Sequence, residues 1–402
     1  MDRGDVFLLS KFLNMISKRI QQLKTSLTLS LDAKVKQLQT GSIFVANLVL
    51  GEPDFVTPWH IRRAGITAIK KGFTHYTVTA GIPELREAIC KKLSEENGVA
   101  YSPSEIVVGV GTKQLLYHTF QVLCEKRNEV IVSVPTWSTY IEQIKLSGAT
   151  PILVPLKPPF RLTVKDLEKR ITPKTKVILL NSPSNPTGAM IEKEQLIKIA
   201  KLAVEKNIFV ISDEIYEKIT FEKQHYSIAS LGQKIKELTV TINGFSKSYA
   251  MTGWRIGYAA GPKEIISAMI SLQSQITSNT SSIAQKAALA ALVGSQESVE
   301  SMRLEFEKRC GYVIQEISKI KNVSFVTPDG AFYLFVGIKQ LLGRRFENSE
   351  EWCQKLLEEE RVAVAPGEAF MYPGYFRLSF ATPMRHLKEG VKRISNFIKK
   401  YD

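Results

Sequence analysis

Residues 243–257 of the 402-residue chain read NGFSKSYAMTGWRIG and contain Lys247. A β-branched run at 238–242 precedes them and predicts a strand, and Arg255 lies just before another apolar run. Most lysines in such a setting are solvated surface residues, but a lysine can also form a Schiff base with an aldehyde cofactor. Small neighbours let a flat ring approach the backbone, and an arginine can hold a phosphate with two hydrogen bonds. The residues alone therefore fit either an ordinary surface lysine or a covalent cofactor site, and the rest of the chain has to decide between them.

The stretch resembles the pyridoxal-phosphate attachment site of the class I aminotransferases, which have fold type I. The family pattern is a glycine or serine three positions before the lysine, then Lys-x-x-small-apolar-x-Gly-x-Arg-x-Gly, and every fixed position is met. Relatives with a serine at the Gly244 position gain a phosphate contact that glycine lacks, and Ser246 is the candidate to replace it. The resemblance runs from about residue 17 onwards. It implies that Lys247 carries the cofactor and is the catalytic residue.

Two further motifs resemble the family's contacts with the cofactor ring. Residues 181–188 read NSPSNPTG, and the resemblance implies that Asn185 bonds the ring hydroxyl oxygen and helps to hold the substrate carboxylate. Residues 208–216 read IFVISDEIY, where the resemblance makes Asp213 the partner of the pyridine nitrogen and Tyr216 a donor to the ring oxygen. A carboxylate keeps that nitrogen protonated, and the cofactor acts as an electron sink only in this form. Without the resemblance, the motifs would indicate a loop and a helix cap.

A phosphate site is predicted where a strand-like run at 105–110 leads through a small-residue turn into a helix over 114–126. A helix start of this kind is a general binding site for anions. The resemblance implies that Arg255 is the charge partner of the cofactor phosphate. It also implies that the turn binds this phosphate through its residues Gly111, Thr112 and Lys113.

The remaining motifs concern the lid over the ring and the substrate. The resemblance makes Trp137, which follows a strand-like run, the aromatic residue that stacks on the cofactor ring beside the substrate. Residues 48–58, LVLGEPDFVTP, resemble the entrance loop of the family, with Gly51 at the backbone contact to the substrate carboxylate. Arg377, in RLSFA, resembles the arginine that binds the α-carboxylate, and a planar guanidinium suits a group that every amino-acid substrate shares.

A homodimer with composite active sites is also implied by the resemblance. The family sends the hydroxyl at the Tyr76 position to the cofactor phosphate of the neighbouring subunit. The polar run TSNT at 277–280 occupies a position that tends to face the partner's site in relatives. The alternative interpretation is that Tyr76 is an exposed loop aromatic.

The composition, with 44% hydrophobic and 23% charged residues, is that of a globular protein large enough for two domains. The net charge of +15 would suit a nucleic acid, yet the basic residues are spread thinly and no aromatic residues alternate with them. Nucleic-acid binding therefore has only the net charge in its favour, and we expect no such partner.

Location and metal content are predicted from cysteines, histidines and the N-terminus. Four cysteines without paired spacing indicate free buried thiols in a reducing compartment, so we expect a cytoplasmic protein. The five histidines are scattered and suggest no metal site. The apolar run at 6–9 is too short for a signal or membrane segment, and we expect no membrane partner. Because the family pattern begins near residue 17, residues 1–14 are expected to be extra, with Met15 as a candidate start.

The fold class follows from the alternation of strands and helices. The alternation predicts an α/β fold, a three-layer sandwich with a mostly parallel seven-stranded sheet. The interval from 242 to 255 is too short for a helical crossover, so one strand is expected to run antiparallel. The β-branched runs that give the seven strands begin near residues 105, 129, 150, 176, 208, 238 and 255.

Two domains and a joining segment are expected. Residues 59–290 would form the large cofactor-binding domain, and residues 291–402 a smaller α+β domain with strands at 323–326 and 331–336. The N-terminal segment 1–58 would join the small domain. Hinged motion of such a domain would close the site around the substrate and exclude water.

The predicted reaction is amino transfer between an L-amino acid and a 2-oxo acid, with aspartate and 2-oxoglutarate as first choice. A dicarboxylate needs a second cation besides Arg377, and the sequence does not reveal one. Some acid-preferring relatives have a lysine two turns into the helix after Lys113, where this chain has Gln121. Aromatic or kynurenine-like amino donors therefore stay open, as does a C–S β-lyase on the same scaffold.

Overall fold

The computed structural model describes residues 16–23, 27–40, 44–343 and 345–401. The apolar run at 6–9 and the candidate start at Met15 lie outside the described residues. In the part of the chain that is described, no helix is both long and apolar enough to cross a bilayer.

The described residues form short strands and mostly longer helices. The strands are β1 Ala46–Asn47, β2 Ile106–Gly109, β3 Glu129–Val134, β4 Thr150–Pro155, β5 Thr175–Asn181, β6 Phe209–Asp213, β7 Thr239–Gly244, β8 Gly257–Ala260, β9 Ser324–Phe325, β10 Tyr333–Gly337, β11 Val362–Ala363, β12 Ala365–Pro366 and β13 Tyr375–Ser379. The α-helices are α1 Lys18–Gln21, α2 Leu27–Thr40, α3 Trp59–Lys70, α4 Pro83–Asn97, α5 Gly111–Leu123, α6 Ser138–Leu146, α7 Val164–Glu168, α8 Lys193–Lys206, α9 Gln233–Lys236, α10 Lys263–Ile276, α11 Ser282–Val293, α12 Glu297–Ile317, α13 Ser349–Glu360 and α14 Met384–Tyr401.

The larger sheet has seven strands in the order β2-β8-β7-β6-β5-β3-β4. The four pairs from β7 to β4 are parallel, whereas β8 is antiparallel to both of its neighbours, β7 and β2. The predicted mostly parallel sheet with one antiparallel strand is therefore confirmed. Only a loop with the 3₁₀ turn Thr252–Trp254 separates β7 from β8, and a parallel connection would need a longer crossover.

Alternate residues of the central strands pack into different cores on opposite faces of this sheet. Val130 and Val132 of β3 pack in a cluster with residues of α5, α6 and α10. Ile131, between them, packs in another cluster with residues of α8. Because side chains alternate across a strand, the sheet is covered by helices on both faces, which is the predicted three-layer arrangement.

A second, antiparallel sheet has the strand order β12-β13-β10-β9, and β1 pairs with β11 in a short parallel ribbon. The pair of β10 and β13 places Phe335 opposite Arg377. The strands predicted at 323–326 and 331–336 are present as the shorter β9 and the slightly later β10. The domain boundaries at residues 58 and 290 stay predictions.

The strand that carries Arg377 has a rigid apolar support. Trp352 of α13 is fully buried and stacks on Phe376, with ring centroids 5.0 Å apart and an interplanar angle of 14°. Phe397 of α14 meets the same tryptophan edge to face at 5.4 Å. These rings pack β13 against α13 and α14.

The carboxyl ends of four parallel strands lie on one edge of the larger sheet. In an open α/β sheet, ligands bind in the crevice beyond these ends. The strand ends are Val134, Asn181, Asp213 and Gly244. Residues scattered along the sequence are thereby brought to one place, namely Trp137, Asn185, Asp213 and Lys247.

Trp352→Ala should lower the free energy of unfolding by about 3–5 kcal/mol, because it opens a large cavity in a fully buried core. Urea denaturation followed by circular dichroism measures the change. Trp352→Phe, which keeps a ring against Phe376, should cost clearly less. Equal losses in the two variants would mean that the aromatic stack is not the source of the stability.

Candidate active site

Lys247 lies in the turn after β7, with its amine directed at the opposite loop. Its Nζ donates a hydrogen bond to the Gly51 carbonyl at 2.5 Å. Burial lowers the pKa of Lys247 to about 8; Glu52 opposes this shift, whereas the cations Arg377 and Arg255 add to it. The amine therefore loses its proton more readily than an exposed lysine does. The neutral amine is the form that attacks a carbonyl carbon.

Asp213 is fully enclosed at the end of β6. Its Oδ2 accepts a hydrogen bond from the Tyr140 hydroxyl at 2.7 Å, and its Oδ1 accepts one from the backbone N–H of Ile215 at 3.3 Å. Burial raises the pKa of Asp213 to about 6, and these two hydrogen bonds oppose the rise. No local pattern in the sequence indicates Tyr140, although it lies one helical turn after Trp137 and their rings meet edge to face at 5.3 Å.

Arg377 brings the two sheets together. Its Nη1 donates to Asn185 Oδ1 at 2.8 Å, and its Nη2 donates to the Val49 carbonyl at 2.5 Å. The guanidinium carbon lies 4.2 Å from the ring centroid of Tyr333 and 4.8 Å from that of Phe370. The two residues predicted to hold the substrate carboxylate, Arg377 and Asn185, are therefore in direct contact.

Tyr216 and Gly51 share a neighbour that the sequence analysis did not single out. The hydroxyls of Tyr216 and Tyr333 are 2.9 Å apart, and either can donate. A Cβ added to Gly51 would lie 2.7 Å from the Tyr333 hydroxyl oxygen. Glycine is therefore required at position 51, since any larger residue would displace the buried phenol.

The predicted phosphate site is a small space at the start of α5. Gly111 has a φ of +76°, and a Cβ there would lie 2.8 Å from Arg255 Nη2. A Cβ on Gly257 would lie 3.0 Å from the Thr112 backbone nitrogen, and one on Gly244 would lie 3.3 Å from Thr112 Cγ2. A helix N-terminus and a guanidinium thus converge on a space that only glycines leave open, which fits the phosphate of pyridoxal phosphate. Helix α5 begins at Gly111 and ends at Leu123, three residues before the predicted end.

Lys113 extends from the same turn towards the predicted lid. Its ammonium lies 4.8 Å from the centroid of the Trp137 ring. Burial lowers the pKa of Lys113, and Arg255 lowers it further. Among the described residues, no carboxylate lies within ion-pair distance of this ammonium. Within the described part of the chain, this cation at the edge of the site therefore has no anionic partner.

Tyr76 is not part of the site within one chain, because its side chain is 90% exposed. A cavity of about 650 Å³ lies beside Arg255. Its walls include Asn279 and Thr280 of the polar run 277–280. The polar run therefore lines an open space next to the predicted phosphate site.

A buried ion network supports the turn after β6. Glu217 pairs with the Lys92 ammonium and accepts a hydrogen bond from Asn97 at 2.7 Å. Burial opposes its ionisation, but Lys92 holds the pKa of Glu217 at about 2. Ligand-type atoms of Glu214, Glu217 and His225 lie within 4.8 Å of one another, a grouping that the scattered histidines did not indicate. The Lys92 ammonium already supplies a cation to this cluster.

The family model for aminotransferases of class I and II matches residues 43–394. The chain therefore belongs to this family, and it is a pyridoxal-phosphate-dependent transaminase. The resemblance and the cofactor inferred from the sequence are confirmed.

Relatives and solved structures match over nearly the full chain. An aspartate aminotransferase of Bacillus subtilis is 44% identical over 96% of this chain and 99% of its own length. A probable aspartate/prephenate aminotransferase of Aquifex aeolicus is 44% identical over 94% of this chain and 97% of its own length. The structure of the Thermus thermophilus aspartate aminotransferase with maleate is 39% identical, with a TM-score of 0.91 over 95% of this chain and 99% of the other. The structure of the Rhizobium meliloti aspartate aminotransferase is 37% identical, with a TM-score of 0.92 over 96% of this chain and 99% of the other.

The protein freed of cofactor should react with added pyridoxal phosphate faster as the pH rises, with a half-maximal rate near pH 8. Only the neutral amine reacts, and a pKa lowered to about 8 makes Lys247 neutral well below the range of an ordinary lysine. Stopped-flow absorbance measures the rate. Lys247→Ala is the control and should give no covalent spectral change; a half-maximum at the ordinary lysine pKa would contradict the lowered value.

Proposed function

We propose that this transaminase moves the amino group of L-aspartate to 2-oxoglutarate. The observation that carries the proposal is the Lys113 ammonium, which lies over the Trp137 ring and has no carboxylate partner among the residues that the structure describes. Aspartate and 2-oxoglutarate each carry two carboxylates, so their site needs two cations. Arg377 is one of them, and Lys113 is the second cation that the sequence did not reveal. Relatives named aspartate aminotransferase, at 42–44% identity, support the same choice.

The α-carboxylate is assigned to Arg377. In this structure its two hydrogen bonds go to neutral oxygens, of Asn185 and Val49. A carboxylate makes stronger, charge-assisted bonds with the same planar fork, so it can displace neutral acceptors. The amide of Asn185 is then free to bond the ring oxygen or the substrate, and the Gly51 backbone closes the site from the entrance loop.

The cofactor contacts follow the same assignment. When bound, pyridoxal phosphate supplies an electron sink for the charge that develops at the α-carbon of the amino acid. Asp213 would pair with the ring nitrogen, Tyr216 would donate to the ring oxygen and Trp137 would cover the ring. Gly111, Thr112 and Arg255 would hold the phosphate, and Lys113, in the same turn, would bind the second carboxylate of the substrate.

Proton transfer is assigned to Lys247. Its Nζ accepts the proton from the α-carbon of the substrate and returns it to a neighbouring carbon. One group that lies beside both of these carbons can serve first as base and then as acid. The lowered pKa suits this exchange, since a fully protonated amine cannot accept a proton. The hydrogen bond to the Gly51 carbonyl marks where the amine rests in this structure.

We also propose a cytoplasmic homodimer in which Tyr76 reaches the phosphate site of the partner. Each chain has an exposed phenol at Tyr76 and a cavity beside Arg255. In the proposed dimer, the phenol of one chain enters the cavity of the other. Val56, Trp59 and Val78 are large apolar residues that are more than half exposed, and they are the contacts that we assign to the dimer interface. The four cysteines are free, and only Cys90 is partly exposed, which suits a reducing compartment.

Lys113→Met should lower kcat/KM for aspartate by about tenfold or more, or ~1.4 kcal/mol, while kcat/KM for alanine changes little. The reason is that alanine has no second carboxylate to bind. Steady-state kinetics with both donors measure the difference, and Lys113→Arg is the matched control that keeps a cation. An equal loss for both donors, together with weaker cofactor retention, would assign Lys113 to the phosphate alone.

Mixing Tyr76→Phe with Lys247→Ala chains should restore activity. In a mixed dimer, the lysine of the Tyr76→Phe chain works beside the intact Tyr76 of the other chain, so one of two sites is normal. Random exchange of subunits then gives about a quarter of the wild-type sites. Assays at limiting cofactor, before and after subunit exchange, measure the recovery. No recovery, or a monomer by sedimentation at micromolar concentration, would contradict the composite site.

A further inference from the structure

Tyr333 lies where the cofactor side and the substrate side of the site meet. The residue is 1% exposed and belongs to β10, next to the strand that carries Arg377. Its register partner is Ser379, so Tyr333 is the diagonal neighbour of Arg377 on one face of the sheet. This geometry explains how one side chain touches both Arg377 and Tyr216.

The Tyr333 hydroxyl has a defined role once Tyr216 is engaged. A phenol has a single proton, so a Tyr216 that donates to the cofactor ring oxygen can only accept from the hydroxyl 2.9 Å away. Tyr333 must then be the donor. Burial raises the pKa of both phenols, so both keep their protons. A donor that itself accepts a hydrogen bond is polarised and becomes a stronger donor.

The Tyr333 ring has a separate role at Arg377. The guanidinium carbon lies 4.2 Å from the centroid of this ring and 4.8 Å from that of Phe370. Arg377 Nε is buried and has no hydrogen-bond partner among the described residues. The guanidinium is therefore oriented by its two Nη hydrogen bonds and by its contacts with the two rings, without a bond at Nε. A fixed plane is what a two-pronged contact with a carboxylate needs.

We propose that Tyr333 is a positioning residue of the transamination, acting through its hydroxyl on Tyr216 and through its ring on Arg377. The proposal rests on the roles given above to those two residues. It assigns the two functions to different parts of one side chain, so two substitutions can separate them.

Tyr333→Phe removes the hydroxyl and keeps the ring. The pH midpoint of the visible absorbance of the bound cofactor should rise by about half to one unit, because the anion of the ring oxygen loses support. The KM for the amino donor should stay close to that of the wild type. Spectral titration of the purified holoenzyme measures the midpoint without any turnover.

Tyr333→Leu removes the ring as well. The KM for the amino donor should now rise by about tenfold, because Arg377 loses one of the two rings that contact it. The pH midpoint should stay at the value found for Tyr333→Phe. The matched control is Tyr258→Phe, which deletes the hydroxyl of a buried tyrosine in β8 outside the site. This control should change neither quantity.

The Tyr216→Phe background decides whether the hydroxyl acts through Tyr216. Tyr216→Phe should raise the midpoint by itself, and adding Tyr333→Phe should raise it no further. Equal shifts by Tyr333→Phe in both backgrounds would overturn the inference. If Tyr216→Phe shifts the pH midpoint and Tyr333→Phe does not, the inference about Tyr333 is overturned and the assignment of Tyr216 stands. An unshifted Tyr216→Phe would overturn that assignment and, with it, the role of the Tyr333 hydroxyl.

Discussion

The active site depends on one buried cation that is shared by two sheets. Arg377 lies on β13 of the four-stranded sheet, and it donates at 2.8 Å to Asn185, which follows β5 of the seven-stranded sheet. A guanidinium cannot lose its charge, so when buried it must be surrounded by acceptors and ring faces. If one sheet moved relative to the other, the cation would lose these partners. The charge therefore keeps together two parts of the chain that are distant in sequence.

The backbone around the candidate site departs from ordinary geometry at several non-glycine residues. Ala250, Arg255 and Ser278 are non-glycine residues with φ of +50°, +51° and +56°. Such conformations are uncommon and persist only where the surroundings hold them. At Ala250 the restraint is visible, since its carbonyl accepts a hydrogen bond from Thr57 Oγ1 at 2.6 Å. The tight turn between β7 and β8 thus depends on a residue of the entrance loop.

The parts of the molecule that could be predicted from the sequence are those fixed by local pattern. The strands of a sheet covered on both faces are continuous apolar runs, and residues such as Asp213 and Lys247 directly follow them. Tyr140 and Tyr333 could not be found in this way, because their hydrogen bonds span 73 and 117 residues. Local spacing carries no information about such pairs. The direction of the Lys113 side chain is likewise set by tertiary packing, against Trp137.

The charges of the site are coupled to its chemistry. Arg255 and Arg377 are the cations that suit a phosphate and a carboxylate, and both also lower the pKa of Lys247. Before anions bind, this repulsion favours the neutral amine that attacks a carbonyl carbon. In the proposed complex, the phosphate and the carboxylate would neutralise the arginines, and the proton affinity of Lys247 would then increase. In the proposed reaction, Arg255 and Arg377 therefore first make Lys247 a better nucleophile and later, once the anions have bound, a stronger base.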